Sequence, residues 1–511
     1  LNKKYSLFII LLSAALFTFL FHRKEPALNL LIFETILFVW LAFTRQIVFR
    51  GLIPVTCTFG LITSSLFAVI TNTPFSLTIN FLAFFIFIGM LVYPQTKSLL
   101  TSLQFAYYNL LSSQVTFAKE FLKSKFNGIP LGVHFWKSRI FLIPLLIIII
   151  FIIIYQQSNP VFDKLTVKAG IFLQEHLIRL FRNFELLMVF TFLCGILLAN
   201  FVFFRESETA VVKRDLESID NLKREKRNRS HHFRLTGLKN EYKAGIFLLL
   251  VLNMILLVLN VIDIYWVWFH FEWEGQYLKQ FVHEGTNLLI LSIMISIALV
   301  LFFFRGNLNF YKKNSLLKYL SYAWLLQNTI LAISVAIRNF WYIHYFALAY
   351  KRIGVFIFLI LTVYGLYTVF IKVLKRKSSF YVFKSNAYAI YFVLIISSAV
   401  NWEIVIAKYN FKHADRAFLH LDFLSTLSAG ALPYLDKSLD ELERIHELQK
   451  KMFPFEKTYM SPQGYYNMID LRKNYFRDHW KTKSLWSWNL PEYLAYRQLF
   501  PDNGNTKTDD Q

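Results

Sequence analysis

Apolar runs, uncharged or nearly so, recur from the start of the chain to about residue 404. Each is long enough for a helix to cross about 30 Å of hydrocarbon. Eleven can be placed, over 5–21, 26–44, 51–70, 75–93, 138–155, 184–204, 244–264, 285–304, 319–338, 353–373 and 385–404. Backbone groups inside a bilayer find no water, so these runs are predicted to be helices rather than strands. The expected fold is an all-α, polytopic α-helical membrane protein with about 11 spanning helices. Pro54 and Pro144 fall inside the third and fifth runs and are expected to kink them. The first run follows a basic start but lacks a small-x-small cleavage pattern before His22, so it is expected to be a retained spanning helix.

Between the runs, three stretches carry other patterns. Leu99–Ala118 is uncharged but rich in Ser, Thr, Gln and Asn, with Leu99, Leu103, Tyr107, Leu110, Phe117 and Phe121 along one helical face. That amphipathic stripe predicts a helix lying flat in the interface. Residues 205–243 mix eleven basic with seven acidic side chains and are expected to be a solvated cytoplasmic loop. After about Ala407 the pattern turns polar and helical. Ser438 and Glu441 match a capping box ahead of LDELERIHELQKKM, and Asn489, Leu490, Pro491 and Glu492 mark another helix start. The expected organisation is a four-helix segment (1–93), an interfacial stretch (94–137), a seven-helix core (138–404), an extracytoplasmic helical C-terminal module (405–500) and a disordered tail (501–511).

Composition and charge sharpen this picture. Apolar residues make up 56% of the 511 residues, and 55 of them are Phe; a soluble chain is nearer 45–50% apolar. Thirty of the 55 Lys and Arg residues fall in the connections that face inward if the N-terminus is cytoplasmic, ten in the outward ones and fifteen in the C-terminal region. The positive-inside rule then puts the N-terminus in the cytoplasm and the C-terminus outside. The formal charge of +23 is explained by topology and anionic lipid. A nucleic-acid partner is not expected, since aromatic stacking residues are nearly absent from the basic loop. Cys57 and Cys194 both lie in apolar runs and offer neither a disulfide framework nor a metal motif.

Candidate chemistry clusters around Val261–Tyr311. His270, Glu272 and Glu274 alternate with aromatics in FHFEWE, which suits an extended interface anchor with its polar side in water. Were that stretch helical, His270 and Glu274 could share a metal, but no third ligand is specified. His283 and Glu284 open the eighth run; position 287 is Asn, so the HExxH zinc motif is absent. Glu284 is also explained by the dipole of a helix first turn. In the ninth run Gln327, Ser334 and Arg338 recur at seven and four, with Asn328 alongside and His344 just beyond. Arg338 is expected to pair with Glu284, Asp263 or Glu34, the last being the one charge inside the second run. These residues form either a polar chamber or helix–helix glue. No P-loop, GxSxG or zinc spacing occurs, so no catalytic residue, cofactor or metal is assigned.

The motifs YQQSNPVF (155–162), FVHEGTNLLI (281–290), FFRGNLNFY (303–311), QNTILAISVAIR (327–338), YKRIG (350–354) and NWEIVIAKYN followed by LDFLSTLSAGALPYL carry a resemblance. In order and spacing the chain resembles bacterial polytopic membrane proteins classed as domains of unknown function, in the groups numbered four-one-five-three and four-one-seven-three. The likeness spans roughly 130–500 and implies a bacterial cytoplasmic-membrane protein, with no activity to carry over. The expected role is non-enzymatic: regulatory, sensory or scaffolding, with the bilayer and a protein bound at the C-terminal module or basic loop as partners. The alternatives are a transporter or channel accessory using the polar chamber, and a membrane enzyme acting at the outer face.

Overall fold

The computed structural model describes residues 3–123, 125–126, 129–158, 161–168, 185–224, 236–271, 275–454 and 456–501, with the side chains of 3–6, 125–126, 129–143, 146, 236 and 275–284 left out. Ten of the eleven predicted runs each fall on a single helix; the last, 385–404, is broken at 399–401, where one helix ends and the next begins. The first eight helices are α1 (Lys3–Phe21), α2 (Leu28–Phe43), α3 (Leu52–Ile70), α4 (Pro74–Val92), α5 (Leu99–Lys123), α6 (Leu131–Ser158), α7 (161–168) and α8 (Leu186–Phe203). The polar loop contributes α9 (Thr209–Glu217). Then come α10 (Thr236–Asp263), a π-helical turn Ile264–Phe269, α11 (Gly275–Phe303), α12 (Ser315–Phe346), α13 (Tyr350–Lys375), α14 (Ser379–Ser398) and α15 (Trp402–Lys412). The C-terminal region folds into α16 (Leu421–Leu424), α17 (Leu432–Leu435), α18 (Leu439–Met452), α19 (Pro462–Thr482) and α20 (Leu490–Leu499). A two-residue ladder, Lys125–Phe126 against Ile129–Pro130, is the one sheet among the described residues.

Among the described residues, eight helices are long and apolar enough to cross a membrane, and α1, α2 and α6 carry shorter apolar stretches. Their outward surfaces are strongly apolar. On α6 every residue from Ile147 to Tyr155 is exposed, and on α10 Phe247, Met254, Ile255, Val258 and Val261 are. Apolar faces this extensive belong in lipid. Pro54 lies in the first turn of α3, where its missing N–H costs no helical bond, so the expected kink has no cause there. Pro144 does sit inside α6.

The chain divides into two compact units. The first comprises Leu1–Arg50, Phe85–Gln95 and Ser102–Val212. Within it α1 and α8 cross closely, since a Cβ on Gly195 would lie 2.9 Å from the Ala14 Cα. Gly89 on α4 meets α5 more closely still, with its Cβ position 1.8 Å from the Ser102 carbonyl oxygen. The face of α5 that packs mixes small and polar residues with Leu99 and Phe105. Ser102, Asn109 and Ser113 are buried, while Tyr107, Leu111 and Val115 are exposed. Asn109 donates to the Phe201 carbonyl (2.7 Å) and accepts from the Glu206 N–H (3.1 Å). Glu34 is buried on α2 of this unit.

The second unit comprises Gly51–Phe84, Thr96–Thr101 and Lys213–Gln511. Its spanning helices pack around Leu249, Ile293, Val300, Trp324, Val335 and Val369. A separate apolar core joins Ala347, Ile353 and Ile406 to Leu424, Leu432, Leu442, Ile469 and Ala495. The C-terminal helices thus share one core with the ends of α12, α13 and α15. Ser438 caps α18 by accepting the Glu441 N–H, and Asn489 caps α20 by accepting the Glu492 N–H, both as expected.

The polar loop is not merely solvated. Asp215 is buried and accepts the Lys97 N–H, while the Lys97 ammonium donates to Leu216 and Ser218 carbonyls. Asp220 pairs with Lys384, and its carbonyl accepts the Ser378 N–H. The densest basic run, 225–235, lies outside the described residues, as does 502–511.

Candidate functional site

The predicted polar line on α12 is real, and it faces α10. Asn253 donates to the Leu320 carbonyl (3.1 Å) and Asn260 to the Gln327 carbonyl (3.1 Å). Gln327 returns a bond to the Asn253 side-chain oxygen (2.8 Å). Trp268 Nε1 donates to Ser334 Oγ (2.9 Å), and Trp341 Nε1 to the Val267 carbonyl (3.1 Å). The participants step by seven on both helices, 253, 260 and 267 against 320, 327, 334 and 341. Two parallel helices keep such a seam in contact because seven residues are close to two turns. In water these amides would gain little from pairing; beside hydrocarbon they bond across the interface instead.

The seam ends in a buried ion pair. Arg338 Nη2 lies 2.5 Å from Asp263 Oδ1, with side chains 6% and 4% exposed. Of the three carboxylates expected as partners, Asp263 is the one seen here. A Cβ on Gly285 would lie 3.5 Å from Arg338 Nη1, so the glycine lets the guanidinium sit against α11. Just beyond Asp263 the backbone widens into the π-helical turn, where the His270 N–H bonds the Tyr265 carbonyl five residues back.

The remaining predicted residues separate from this pair. His270 is exposed and stacks on Tyr265 at 4.4 Å. Glu272 and Glu274 lie outside the described residues, as do the side chains of His283 and Glu284. The backbone of Glu284 is nonetheless well inside α11, which begins at Gly275, so the first-turn dipole account of that residue falls. Asn328 turns its amide back to the Trp324 carbonyl of its own helix (2.8 Å). His344 belongs to the last turn of α12 and sits edge-on to Trp341 and Tyr345. No metal-holding cluster of His, Cys, Asp or Glu occurs among the described residues.

A second constellation was missed. Glu403, at the start of α15 and capped by Asn401, is buried. Its carboxylate accepts the Tyr350 hydroxyl (2.5 Å) and the Ser428 N–H (2.7 Å). One residue thereby ties α13, α15 and the C-terminal helices together. Asn410 supports the same joint by accepting the Leu348 N–H (2.7 Å) and donating to its carbonyl (3.0 Å). Arg352 donates to the Phe346 and Ala347 carbonyls that end α12, and lies over the Tyr342 ring at 4.3 Å. Arg472 from α19 donates to the Ser425 and Leu427 carbonyls, and burial lowers its pKa. The signal available in sequence was a carboxylate two residues after a capping Asn, directly following an uncharged run.

The motif FFRGNLNFY has a structural explanation as well. Asn309 donates to the Phe304 and Gly306 carbonyls, and Asn314 to those of Leu308 and Asn309. Lys372, fully buried, donates to the Phe304 and Lys377 carbonyls (2.8 and 3.1 Å). These groups satisfy the carbonyls left over where α11 and α13 stop.

Buried polar seams, apolar outward faces and helices of membrane length define an all-α helical membrane protein. Its family follows from a match over residues 36–438 to the family described as a domain of unknown function (DUF4153), and the chain belongs to that family. The match begins well before the motifs that carried the resemblance and stops within the C-terminal helices. No curated protein and no solved structure matches the chain.

Proposed function

We propose that this is a multi-pass protein of the bacterial cytoplasmic membrane with a non-enzymatic regulatory, sensory or scaffolding role. In this reading the N-terminus is cytoplasmic and the C-terminal helices lie outside. They respond to, or hold, a protein partner and pass strain to the spanning helices. The observation that carries it is the joint at Glu403, where a C-terminal loop, α13 and α15 meet on one carboxylate above a shared apolar core. One further fact supports it: the described seam residues bond one another between α10 and α12. Photo-crosslinkers placed at exposed Tyr459, Leu471 and Tyr475 in living cells test the reading. A discrete crosslinked partner, lost in Glu403→Ala, is expected. Full function after deletion of the C-terminal helices would overturn it. Cysteine at position 72, labelled from outside the cell, checks the orientation; protection there reverses it.

A further inference from the structure

The Glu403 joint borders a cavity of about 370 Å³ in the second unit. That volume falls in the range of small-molecule sites, above roughly 300 Å³. Phe75, Ile353, Ile357 and Trp402 form apolar walls, and the ionisable groups in the lining are Tyr350 and Glu403, with no cation among them. Pro74, Tyr350 and Gly354 are exposed at its mouth. From Gly354 the exposed face of α13 continues to Phe358, one turn further along a spanning helix. An acyl chain lying against α13 can therefore enter without leaving hydrocarbon.

Two details point to an occupant rather than to loose packing. Gly354 lies inside α13, where glycine costs roughly 1 kcal/mol relative to alanine. Nothing lies within 4 Å of the Cβ it lacks, so no neighbour of this chain requires the space. The glycine keeps the mouth open. Glu403, in turn, uses one lone pair on each oxygen for Tyr350 and Ser428. A carboxylate offers about four such sites, which leaves two for a donor in the cavity.

We propose that this cavity binds a bilayer lipid whose head ends in a primary ammonium, its chain along the apolar walls and its N–H donors on Glu403. The proposal goes beyond the functional reading above and stands whether or not the C-terminal helices hold a partner. Anionic heads are disfavoured because the lining presents a carboxylate and no cation; Arg472, whose charge Glu403 feels, is outside the lining and donates to the Ser425 and Leu427 carbonyls. A trimethylated head carries the charge but has no N–H to donate.

The test uses the full chain in detergent micelles, titrated with phosphatidylethanolamine, phosphatidylcholine or phosphatidylglycerol of identical chains, with retained lipid read by native mass spectrometry. Phosphatidylethanolamine is expected to be retained about tenfold better than either of the others. Gly354→Leu, which blocks the mouth and leaves every hydrogen bond in place, is expected to lower that retention about tenfold without lowering the melting temperature. Glu403→Gln is expected to remove the preference among heads. Equal retention of the three lipids, preference for phosphatidylglycerol, or undiminished retention in a folded Gly354→Leu variant would overturn the proposal. Should Glu403→Gln fail to fold, the Gly354→Leu arm decides alone.

Discussion

Replacing Asp263 by Ala isolates the energetic centre of the seam. The substitution leaves the Arg338 guanidinium, 6% exposed, without the carboxylate that now lies 2.5 Å away. At an effective dielectric constant near 20, two unit charges about 4 Å apart attract by about 4 kcal/mol. Breaking a buried pair from one side typically costs about 3–5 kcal/mol, because the other charge stays behind. An ordinary interhelical hydrogen bond in a membrane bundle is worth only about 0.6 kcal/mol. Asp263→Ala should therefore destabilise several times more than Gln327→Leu, although both remove one seam contact. Asp263→Leu with Arg338→Met removes both charges at similar bulk and should recover most of the loss. Reversible unfolding in mixed micelles, followed by circular dichroism for the unaltered protein, Asp263→Leu, Arg338→Met and the double variant, gives the four corners of the cycle. If Asp263→Ala costs under about 1 kcal/mol, or the double variant is as unstable as the two single losses added, the pair does not behave as a buried ion pair.

Gly89→Leu should separate α4 from α5, since even a Cβ would stand 1.8 Å from the Ser102 carbonyl oxygen; overpacking of this kind costs about 1–3 kcal/mol or more, read as loss of folded protein on size exclusion. Asn410→Ala removes both bonds to Leu348, so hydrogen exchange at 346–349 should rise and stability fall by about 1–3 kcal/mol; unchanged exchange would contradict the clamp. Tyr465 is buried with its hydroxyl on the Leu435 carbonyl (3.0 Å), and burial first, then Asp436, raises its pKa against the opposing pull of Arg472. A raised phenol contributes stability that is present below its ordinary value of about 10 and lost as pH climbs from there towards the folded value. The C-terminal helices should loosen above about pH 10, and Tyr465→Phe should flatten that dependence while costing about 1 kcal/mol at neutral pH.

The spanning helices were legible because hydrocarbon demands a fixed length of uncharged chain, and no soluble helix imitates that for eleven runs. The seam was legible in part. Gln327, Ser334 and Arg338 share a face by spacing alone, but spacing on one helix does not say which neighbour it meets. Asp263, Glu284 and Glu34 were equal candidates; the structure sets Asp263 against Arg338, while the Glu284 side chain lies outside the described residues. Helix ends were the least legible: α11 begins at Gly275 and α12 runs to Phe346, because nothing in a helix requires it to stop at the bilayer surface. On α5 the apolar stripe suggested a helix lying flat in the interface; part of that stripe, Tyr107 and Leu110, is exposed, while Leu99 is buried with Ser102 and Asn109. Glu403 escaped notice because one carboxylate beyond a run resembles any loop charge; its partners come from residues 350 and 428, which sequence distance conceals.

The seven-residue step of the seam limits how α10 and α12 can move. A slide of one turn, 5.4 Å, would carry Asn253 and Asn260 away from the Leu320 and Gln327 carbonyls together and tear Asp263 from Arg338. The next register that sets Gln327 against an asparagine lies about 10.5 Å away, too far for small strains. Piston motion between these two helices is thus opposed by the same bonds that hold them. A pull on the α12–α13 turn must tilt or rotate the pair as a single rod.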